Sequence, residues 1–217
     1  MKDLFPDCHV FRMEQRSPEW FDVRKGILTA SNFGAWLLKD SDQTSRKARE
    51  SAICKLIAER ANCWQAPNFE NEAMKRGSLY EPDAIAAFEK ATGFKVAQVG
   101  FCRSLHGAFG CSPDGLIEGV SAGIEGKVPV PETHIKYRRA GEMPEEYKFQ
   151  VHGSMAVTGA QRWHFQSWNP GLATFRCVIE RDDFTEQLKA ALIAFSLQFE
   201  EAWQQEAEAV AREGKTE

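Results

Sequence analysis

Residues 111–129 read CSPDGLIEGVSAGIEGKVP, and this stretch decides the fold. Apolar residues alternate with other types in two runs, 114–118 and 122–128, which are separated by a turn region from Gly119 to Gly123. Period-two runs bounded by glycine are typical of β-strands, and strands this close in sequence pair as a hairpin. The stretch therefore predicts a hairpin within a β-sheet.

The two faces of the second run differ in chemistry. One face is formed by Ile124, Gly126 and Val128. Because side chains alternate along a strand, Glu125 and Lys127 project together from the opposite face. Asp114 lies eleven residues before Glu125 in the sequence. Neighbouring strands are about 4.8 Å apart, so the hairpin is expected to place Asp114 beside Glu125.

The trio of Asp114, Glu125 and Lys127 has the chemistry of metal-assisted phosphodiester hydrolysis. Two close carboxylates repel each other and are costly to desolvate unless a cation lies between them. Carboxylate oxygens are the ligands that Mg²⁺ and Mn²⁺ prefer. A lysine beside such a metal can orient or deprotonate an attacking water, or stabilise the charge that builds on a phosphate. The alternative interpretation is an ordinary hairpin whose solvent face carries the same three residues.

The rest of the chain supplies further strands and helices on either side of the hairpin. Helical spacing and capping signals predict helices at 17–24, from Ser31 onward, at 45–62, at 72–92, at about 145–158 and at 182–206. Alternating runs predict strands at 94–103, 107–112, 162–168 and 173–180. This order indicates an α/β fold with a central mixed β-sheet flanked by α-helices. We expect one domain over residues 1–217, with residues 206–217 as a frayed tail.

Composition places the chain among ordinary globular proteins. Its 217 residues are 43% hydrophobic and 27% charged, which suffices for one substantial core. No run approaches eighteen apolar residues, and residues 1–7 have neither an apolar h-region nor a cleavage site of small residues. We therefore expect a cytoplasmic protein that makes no contact with a membrane.

Net charge limits the way in which this protein can bind nucleic acid. The value of −4 argues against a protein that coats nucleic acid through bulk positive charge. A local basic channel is compatible with this charge, and three basic clusters are candidates. They are Arg12 with Arg16, Arg46-Lys47 with Arg49, and Lys136 with Arg138-Arg139. Each cluster taken singly is more typical of a solvated surface than of a DNA contact.

The six cysteines are scattered and form no C-x-x-C pair. Without a signal peptide, such cysteines are typical of buried small apolar residues rather than of disulfides or zinc ligands. Cys102 and His106 are four residues apart, but a closed zinc site needs four ligands and no second pair follows. Structural zinc is therefore not expected.

Several further blocks accompany the hairpin. They are Ser17-Pro18-Glu19-Trp20 leading into Arg24-Lys25-Gly26-Ile27-Leu28-Thr29-Ala30-Ser31, then Arg76-Gly77-Ser78-Leu79-Tyr80-Glu81, Cys111-Ser112-Pro113-Asp114-Gly115, Glu125-Gly126-Lys127-Val128-Pro129 and Gln150-Val151-His152-Gly153-Ser154-Met155. The Pro-Asp…Glu-x-Lys pattern among them is the signature of the restriction-endonuclease-like superfamily. In order and spacing, the blocks resemble lambda-type phage exonucleases, also called viral recombinase exonucleases. Each block is a weak signal alone, and together they form a strong one over most of the chain.

The resemblance implies a role for each residue at a matching position of the active site. Asp114 and Glu125 would bind metal through their side chains, and Gly126 through its backbone carbonyl. Glu81 would bind a second metal directly or assist from nearby, and Lys127 would be the catalytic lysine. The implied cofactor is Mg²⁺, for which Mn²⁺ can substitute, with two ions in each site.

The resemblance also implies contacts with the substrate. Arg24 and Ser31 would hold the terminal 5′ phosphate of the degraded strand, and Gln150 would support the active site beside Lys127. A guanidinium suits phosphate because its fork binds two oxygens at once. Ser31, predicted as the N-cap of a short helix, would lie where helix amides attract an anion, although a plain cap is the simpler interpretation of this residue alone.

The activity implied by the resemblance is digestion of one strand of linear double-stranded DNA from its 5′ end. Metal-activated water would release 5′ mononucleotides and leave a 3′ single strand for recombination. Family members assemble as ring-shaped trimers, so a homotrimer is expected, with a single-strand annealing protein as partner in the cytoplasm of a bacterial host. The alternatives are an endonuclease of the same superfamily, an inactive module that binds DNA ends, and a zinc or small-molecule protein with an accidental motif.

Gly126 departs from the family, which usually has an apolar branched residue between the glutamate and the lysine. A glycine inside a strand weakens that strand by about 0.5–1 kcal/mol. The departure is expected to affect local rigidity and metal affinity, whereas the carbonyl ligand itself is retained. His152 also stands where the family often has an amide, and an exposed helix histidine is the state expected for it.

Overall fold

The computed structural model describes residues 4–39, 42–62 and 72–213. Six α-helices lie in these ranges: α1 (Pro18–Val23), α2 (Gln43–Arg60), α3 (Glu72–Thr92), α4 (Pro131–Ala140), α5 (Lys148–Thr158) and α6 (Asp183–Glu213). Short 3-10 turns are formed by Ala30–Asn32, Ala35–Leu37 and Glu145–Tyr147. Within the described ranges, no helix combines the length and the apolar character needed to cross a membrane.

The strands of the described chain form two mixed sheets. The strands are β1 (Cys8–Phe11), β2 (Leu28–Thr29), β3 (Val96–Ala97), β4 (Phe101–Ser104), β5 (Phe109–Cys111), β6 (Gly115–Ile117), β7 (Ala122–Lys127), β8 (Arg162–Ser167) and β9 (Phe175–Glu180). One sheet has the order β1-β4-β5-β2 and the other β3-β6-β7-β8-β9. The division falls at Pro113, which has no N–H to continue a strand ladder. The α/β class with helices packed on sheets is confirmed.

The predicted hairpin is formed by β6 and β7. These strands pair antiparallel, with Gly115 opposite Ile124. β7 also pairs in parallel with β8 along its whole length, so it is an interior strand. The register, extended by one residue, brings Asp114 and Glu125 together at the end of the hairpin, as the sequence predicts.

The two faces of β7 contact different helices. On one face Ile124 packs with Phe88 of α3 in a small apolar cluster. On the other face lies α5, whose residues 151–158 are all buried. Glu125 and Lys127 are directed to the α5 side, where both contact Gln150. The predicted alternation of side chains along this strand is therefore confirmed.

Several element boundaries differ from those predicted. The predicted strand 94–103 is two short strands, β3 and β4, which belong to different sheets. The predicted helix 182–206 continues to Glu213, so this part of the expected tail is helical, while residues 214–217 lie outside the described residues. β1, β2 and α4 have no counterpart among the predicted elements. A strand of two residues, such as β2, is too short to show a period.

The thiols lie in different surroundings. Cys8, Cys102 and Cys111 are buried, Cys177 is half-buried and Cys54 is exposed. The expectation of buried apolar cysteines is confirmed for the first three and is wrong for Cys54. Cys63 lies outside the described residues. All five described cysteines are free, so no disulfide constrains this part of the chain.

His152 is buried in α5, and the expectation of an exposed histidine is wrong. Its Nδ1 lies 2.8 Å from Oγ1 of Thr185, and its ring packs edge-on against Phe184. Burial lowers the pKa of His152, and the carboxylate of Asp182 only partly opposes this effect. The fold therefore favours the neutral imidazole.

This shift predicts a loss of stability in acid. Below the ordinary pKa of 6.5 the unfolded chain takes up a proton at His152 that the folded protein resists, so the free energy of unfolding falls as the pH drops below that value. Above pH 6.5 His152 is neutral in both the folded and the unfolded protein, and this residue causes no loss of stability. Urea unfolding at pH 7 and pH 5 should show a smaller acid loss for His152→Gln than for the wild type. Equal losses in the two proteins would contradict the prediction.

Candidate active site

Asp114 lies in the link from β5 to β6, at the junction of the two sheets. Its Oδ2 accepts a hydrogen bond of 2.6 Å from the backbone N–H of Gly126. Gln15 holds the same link, because its Nε2 donates to the carbonyl of Pro113 at 2.9 Å. Burial, followed by the nearby carboxylate of Glu125, raises the pKa of Asp114 well above its ordinary value. A buried carboxylate in this position favours the binding of a cation.

Glu125 and Lys127 project from β7 to the same side. Glu125 is 2% exposed, and its Oε1 accepts hydrogen bonds from Nζ of Lys127 and, at 2.7 Å, from Nε2 of Gln150. Oε1 of Gln150 lies 3.5 Å from Nζ of Lys127. The three side chains therefore form a closed group in which α5 supports the end of β7.

The ring of Tyr147 covers the ammonium of Lys127. Nζ lies 4.9 Å from the ring centroid, within the range of a cation–π interaction. Burial alone would lower the pKa of Lys127, but the carboxylates of Glu125 and Asp114 outweigh this effect and raise it. Lys127 is therefore an ammonium at neutral pH, and its charge compensates one of the two buried carboxylates.

Glu81 reaches the same place from α3. It lines a cavity of about 380 Å³ together with Asp114 and Lys127. Pro82 follows Glu81 inside the helix and has no N–H, so the hydrogen-bond ladder of α3 is interrupted at the cavity wall. Burial raises the pKa of Glu81, and the charge of Arg16, which also lines the cavity, opposes this effect.

Glu81, Asp114, Gly126 and Lys127 line the cavity, Glu125 lies next to it beneath Lys127, and together these residues fit a divalent cation. Asp114 and Glu125 offer hard carboxylate oxygens, Gly126 offers its carbonyl oxygen, and Glu81 adds a carboxylate from α3. Buried carboxylates that share one lysine leave an excess of negative charge, which a divalent ion would compensate. Across residues 4–39, 42–62 and 72–213, no three His, Cys, Asp or Glu side chains form a ready-made metal cluster. The predicted ligands Glu81, Asp114 and Glu125 therefore lie near one another without forming a preformed three-carboxylate cluster.

Gly126 leaves room for a side chain. Its backbone is not in the left-handed region, and a Cβ added there would meet only Oδ2 of Asp114, at an ordinary contact distance of 3.5 Å. We predict that Gly126→Ala raises the free energy of unfolding by about 0.5–1 kcal/mol. We also expect no loss of Mn²⁺ affinity, because the carbonyl is unchanged. Urea unfolding and titration calorimetry measure the two quantities.

Gly123 in the same strand provides the matched control. A Cβ at this position would overlap the buried ring of Trp163. Gly123→Ala is therefore expected to lower the free energy of unfolding by about 1–3 kcal/mol through overpacking. A loss of similar size in Gly126→Ala would contradict the prediction and would mean that glycine is required at both positions.

Arg24 follows α1 and lies on the ring of Trp20, with 3.7 Å between Cζ and the ring centroid. Its Nη1 donates a hydrogen bond of 2.8 Å to Oγ of Ser112, and Nε1 of Trp20 donates to the same oxygen at 3.0 Å. Ser112 is two residues before Asp114, so these bonds connect Arg24 to the acidic end of the cavity. Burial lowers the pKa of Arg24 to about 10, which leaves the guanidinium charged at neutral pH.

Ser31 does not cap a helix, and that prediction is wrong. It lies inside the 3-10 turn Ala30–Asn32, which has Thr29 at its N-cap and no side-chain capping bond. A turn of three residues has no array of aligned amides, so the argument from helix amides does not apply to it. The side chain is exposed, with its Oγ 3.4 Å from Oγ1 of Thr29. Neither Arg24 nor Ser31 lines the cavity that contains Glu81.

Sequence reasoning identified no role for Tyr147, Gln15 or Ser112. Tyr147 is three residues before Gln150, and this one-turn spacing is a signal that could have revealed it. Ser112 lies inside a recognised motif block, yet nothing in that block indicates its bond to Arg24. No local pattern in the sequence indicates the role of Gln15, because its contact with Pro113 joins residues 98 positions apart.

Comparison with known protein families identifies the kind of chain that carries this site. Residues 19–161 match the family described as the YqaJ-like viral recombinase domain. The chain belongs to this family. The matched range includes every predicted site residue, namely Arg24, Ser31, Glu81, Asp114, Glu125, Gly126, Lys127 and Gln150. The predicted kinship with viral recombinase exonucleases is confirmed. No curated protein matches the chain.

Solved structures extend this comparison for the YqaJ-like chain. The alkaline exonuclease LHK-Exo from Laribacter hongkongensis is 31% identical, and its complex with dAMP 32% identical, each with a TM-score of 0.75. Both alignments cover 90% of this chain and 99% of the other. A phage-related exonuclease from Haemophilus somnus is 12% identical over 85% of this chain and 96% of its own, and with a TM-score of 0.58 it shares the fold. Together with the family, the LHK-Exo matches support a 5′-to-3′ exonuclease of restriction-endonuclease-like fold.

Proposed function

We propose that this protein is a metal-dependent exonuclease that digests one strand of linear duplex DNA from its 5′ end. The observation that carries the proposal is the buried group of Asp114, Glu125 and Lys127, which Gly126 and Gln150 hold through hydrogen bonds. Buried carboxylates beside a lysine are suited to phosphodiester hydrolysis. The expected products are 5′ mononucleotides and a 3′ single strand.

Four groups are the proposed ligands of the cation. They are the carboxylates of Asp114 and Glu125, the carbonyl of Gly126 and, for a second ion, the carboxylate of Glu81. When bound, divalent cations supply Lewis acidity toward the phosphate. The proposed cofactor is Mg²⁺, with Mn²⁺ as a substitute and two ions in each site.

Lys127 and the side chains that contact it have the other proposed roles in the reaction. The ammonium of Lys127 lies at the cavity wall, where it can orient the attacking water and stabilise the charge that develops on the phosphate. Gln150 donates to Glu125 and thereby fixes the direction of that carboxylate. The ring of Tyr147 contributes a cation–π contact that helps to hold Nζ in place. These contacts position the reacting groups before the substrate arrives.

Arg24 and Ser31 are the proposed contacts of the terminal 5′ phosphate. A guanidinium has five N–H donors, so the bond from Arg24 to Ser112 leaves others for phosphate oxygens. The ring of Trp20 beneath the guanidinium keeps its plane fixed. Ser31 contributes an exposed hydroxyl. Contacts of Arg24 and Ser31 with a terminal phosphate would favour an exonuclease, because an endonuclease has no terminal phosphate to bind.

We further propose the biological setting that the resemblance implies. The protein would form a homotrimer around DNA, act with a single-strand annealing protein in recombination, and work in the cytoplasm of a bacterial host. Residues 1–217 would form one exonuclease domain. Sedimentation analysis of the purified protein measures the trimer directly.

A choice of substrates tests the proposed activity. Linear duplex DNA with 5′ phosphates should release mononucleotides in Mg²⁺, and covalently closed circles should remain intact. Nicking of the closed circles would instead indicate an endonuclease. Binding to duplex ends without release of nucleotides, in Mg²⁺ and in Mn²⁺, would indicate an inactive end-binding module.

A further inference from the structure

A second cavity adjoins the candidate active site. Its volume is about 360 Å³, and it is lined by Arg16, Pro18, Phe21, Asp22 and Lys25. Arg16 also lines the cavity of about 380 Å³ that contains the acidic residues. Arg16 therefore borders both cavities, and the second cavity combines two cationic residues, Arg16 and Lys25, with the aromatic residue Phe21 and the carboxylate residue Asp22.

The backbone at Arg16 has an unusual conformation. Its φ is 70°, in the left-handed region that residues other than glycine rarely adopt. The preceding residue is fixed, because Nε2 of Gln15 donates to the carbonyls of Val99 at 3.1 Å and Pro113 at 2.9 Å. Since Pro113 immediately precedes Asp114, the turn that carries Arg16 is attached to the active-site link. An unfavourable backbone conformation held next to a site indicates that the position of its side chain matters.

The side chains of the second cavity match the parts of a nucleotide. The cations of Arg16 and Lys25 suit phosphate oxygens, and the ring of Phe21 suits stacking on a base. Phe21 is itself fixed edge-on against Trp20, with 4.9 Å between ring centroids. Nζ of Lys25 lies 2.6 Å from Oδ1 of Asp22, so a bound phosphate would share this ammonium with that carboxylate. All these groups are side chains, and none of them depends on the backbone amides of the short helix α1.

We propose that the second cavity is a subsite for the nucleotide that flanks the scissile phosphate in the digested strand, with Arg16 binding the phosphate between the two cavities. The inference rests on the proposed exonuclease function and assigns a substrate contact to it. The contact of Arg16 does not depend on the identity of the base, because the phosphate is the same in every nucleotide. Phe21 is equally tolerant, because every base has a face that can stack.

Kinetics of nucleotide release test the role of Arg16, with a 5′-phosphorylated duplex and Mg²⁺ at a series of NaCl concentrations. Arg16→Gly removes the guanidinium and also suits the left-handed backbone, so the variant should fold at least as well as the wild type. We expect KM to rise about ten-fold. We also expect the slope of log KM against log salt concentration to fall by about one, as for one lost phosphate contact.

Two variants serve as matched controls. Asn62→Gly changes another non-glycine residue with positive φ, 55°, at the end of α2. Arg212→Gln removes an exposed arginine near the end of α6. Both should have the KM and the salt slope of the wild type. If Arg16→Gly behaves like Asn62→Gly, the inference is overturned.

The base contact is tested with Phe21→Leu and with an abasic residue placed in turn at each of the first three nucleotides. One of these abasic positions should raise the KM of the wild type about five-fold or more, the loss expected for one stacked base. The same substrate should give no further rise with Phe21→Leu, because the stacking partner is already absent. Additive losses at every position would overturn the assignment of Phe21.

Failure of the subsite and failure of the proposed function give different results. A loss of kcat for Arg16→Gly with unchanged KM would place Arg16 at the reacting phosphate and overturn the flanking subsite. If the wild type releases no nucleotides, the proposed function fails, and fluorescence anisotropy with the same duplex in EDTA decides on the subsite. Binding about ten-fold weaker in Arg16→Gly would support it, and equal binding would overturn it.

Discussion

Lys127→Ala should lower the rate of nucleotide release by about 10²–10⁴-fold, while the protein still binds duplex ends. Nζ of Lys127 contacts Glu125 and Gln150 and lies under the ring of Tyr147. The substitution removes the group that orients water and stabilises charge on the phosphate. It also leaves the buried carboxylate of Glu125 without its ammonium partner. Single-turnover release from a 5′-phosphorylated duplex at saturating protein measures the chemical step.

Lys189 provides the matched control for Lys127. Its side chain is 19% exposed, against 25% for Lys127, and its Nζ lies 2.7 Å from the carboxylate of Asp7. Lys189→Ala should therefore lower thermal stability but leave the rate of release unchanged at temperatures where the variant is folded. A Lys127→Ala protein that retains more than a tenth of the rate would contradict the role proposed for this lysine.

Asp114→Asn should reduce hydrolysis by about 10³-fold or more and yet stabilise the metal-free protein. Burial and the nearby carboxylate of Glu125 raise the pKa of Asp114, so the ionised form opposes folding when no metal is bound. Asparagine is neutral and keeps an oxygen for the N–H of Gly126. The variant lacks the negative charge of Asp114. It therefore binds the metal less well, and it avoids the cost of burying an ionised carboxylate.

The pH dependence of stability follows from the direction of this shift. Below the ordinary pKa of 3.8 the carboxyl of Asp114 is protonated in both states and has no effect. As the pH rises above that value, the unfolded chain releases the proton first, and stability is lost up to the raised pKa. At pH 7 in EDTA, Asp114→Asn should therefore have the higher Tm, and the difference should shrink as the pH approaches 3.8. Mg²⁺ or Mn²⁺ should raise the Tm of the wild type only.

Asp7 is a control for the prediction at Asp114, because its pKa is shifted in the opposite direction. Burial raises the pKa of Asp7, but hydrogen bonds from Lys189 and His106 outweigh it, so the pKa is lowered. Its ionised form therefore supports folding, and Asp7→Asn should have a lower Tm at pH 7 with hydrolysis retained. A lower Tm for Asp114→Asn in EDTA, like that of Asp7→Asn, would contradict the assignment of Asp114 as a penalised carboxylate.

The hairpin and its two faces were predictable because they depend on local periodicity. Alternation along residues 122–128 separates Glu125 and Lys127 from Ile124, and the length of the turn sets Asp114 beside Glu125. The meeting of Gln150 with Lys127 depends instead on how α5 packs over β7. That contact followed from the family resemblance, since no spacing in the sequence indicates it.

The division into two sheets could not be predicted from local patterns. It depends on partners far apart in sequence, such as Val10 of β1 opposite Cys102 of β4. The missed helix α4 is a different case, because local signals were present. Pro131 opens it, Glu132 lies in its first turn, and Gly141 ends it in the left-handed conformation. Its polar sequence lacks a clear apolar stripe, and so periodicity did not reveal it.

The hydroxyl of Ser112, which accepts hydrogen bonds from Arg24 and Trp20, has a consequence for the size of the product. Two peptide units join Ser112 to Asp114, and these span at most about 7 Å. In the proposed binding mode, with a terminal phosphate at Arg24 and cleavage at Asp114, this short link and the hydrogen bond from Arg24 to Ser112 would keep the anchored end close to the cut. A short spacing between the anchored end and the cut would favour short products, such as mononucleotides, at each cleavage.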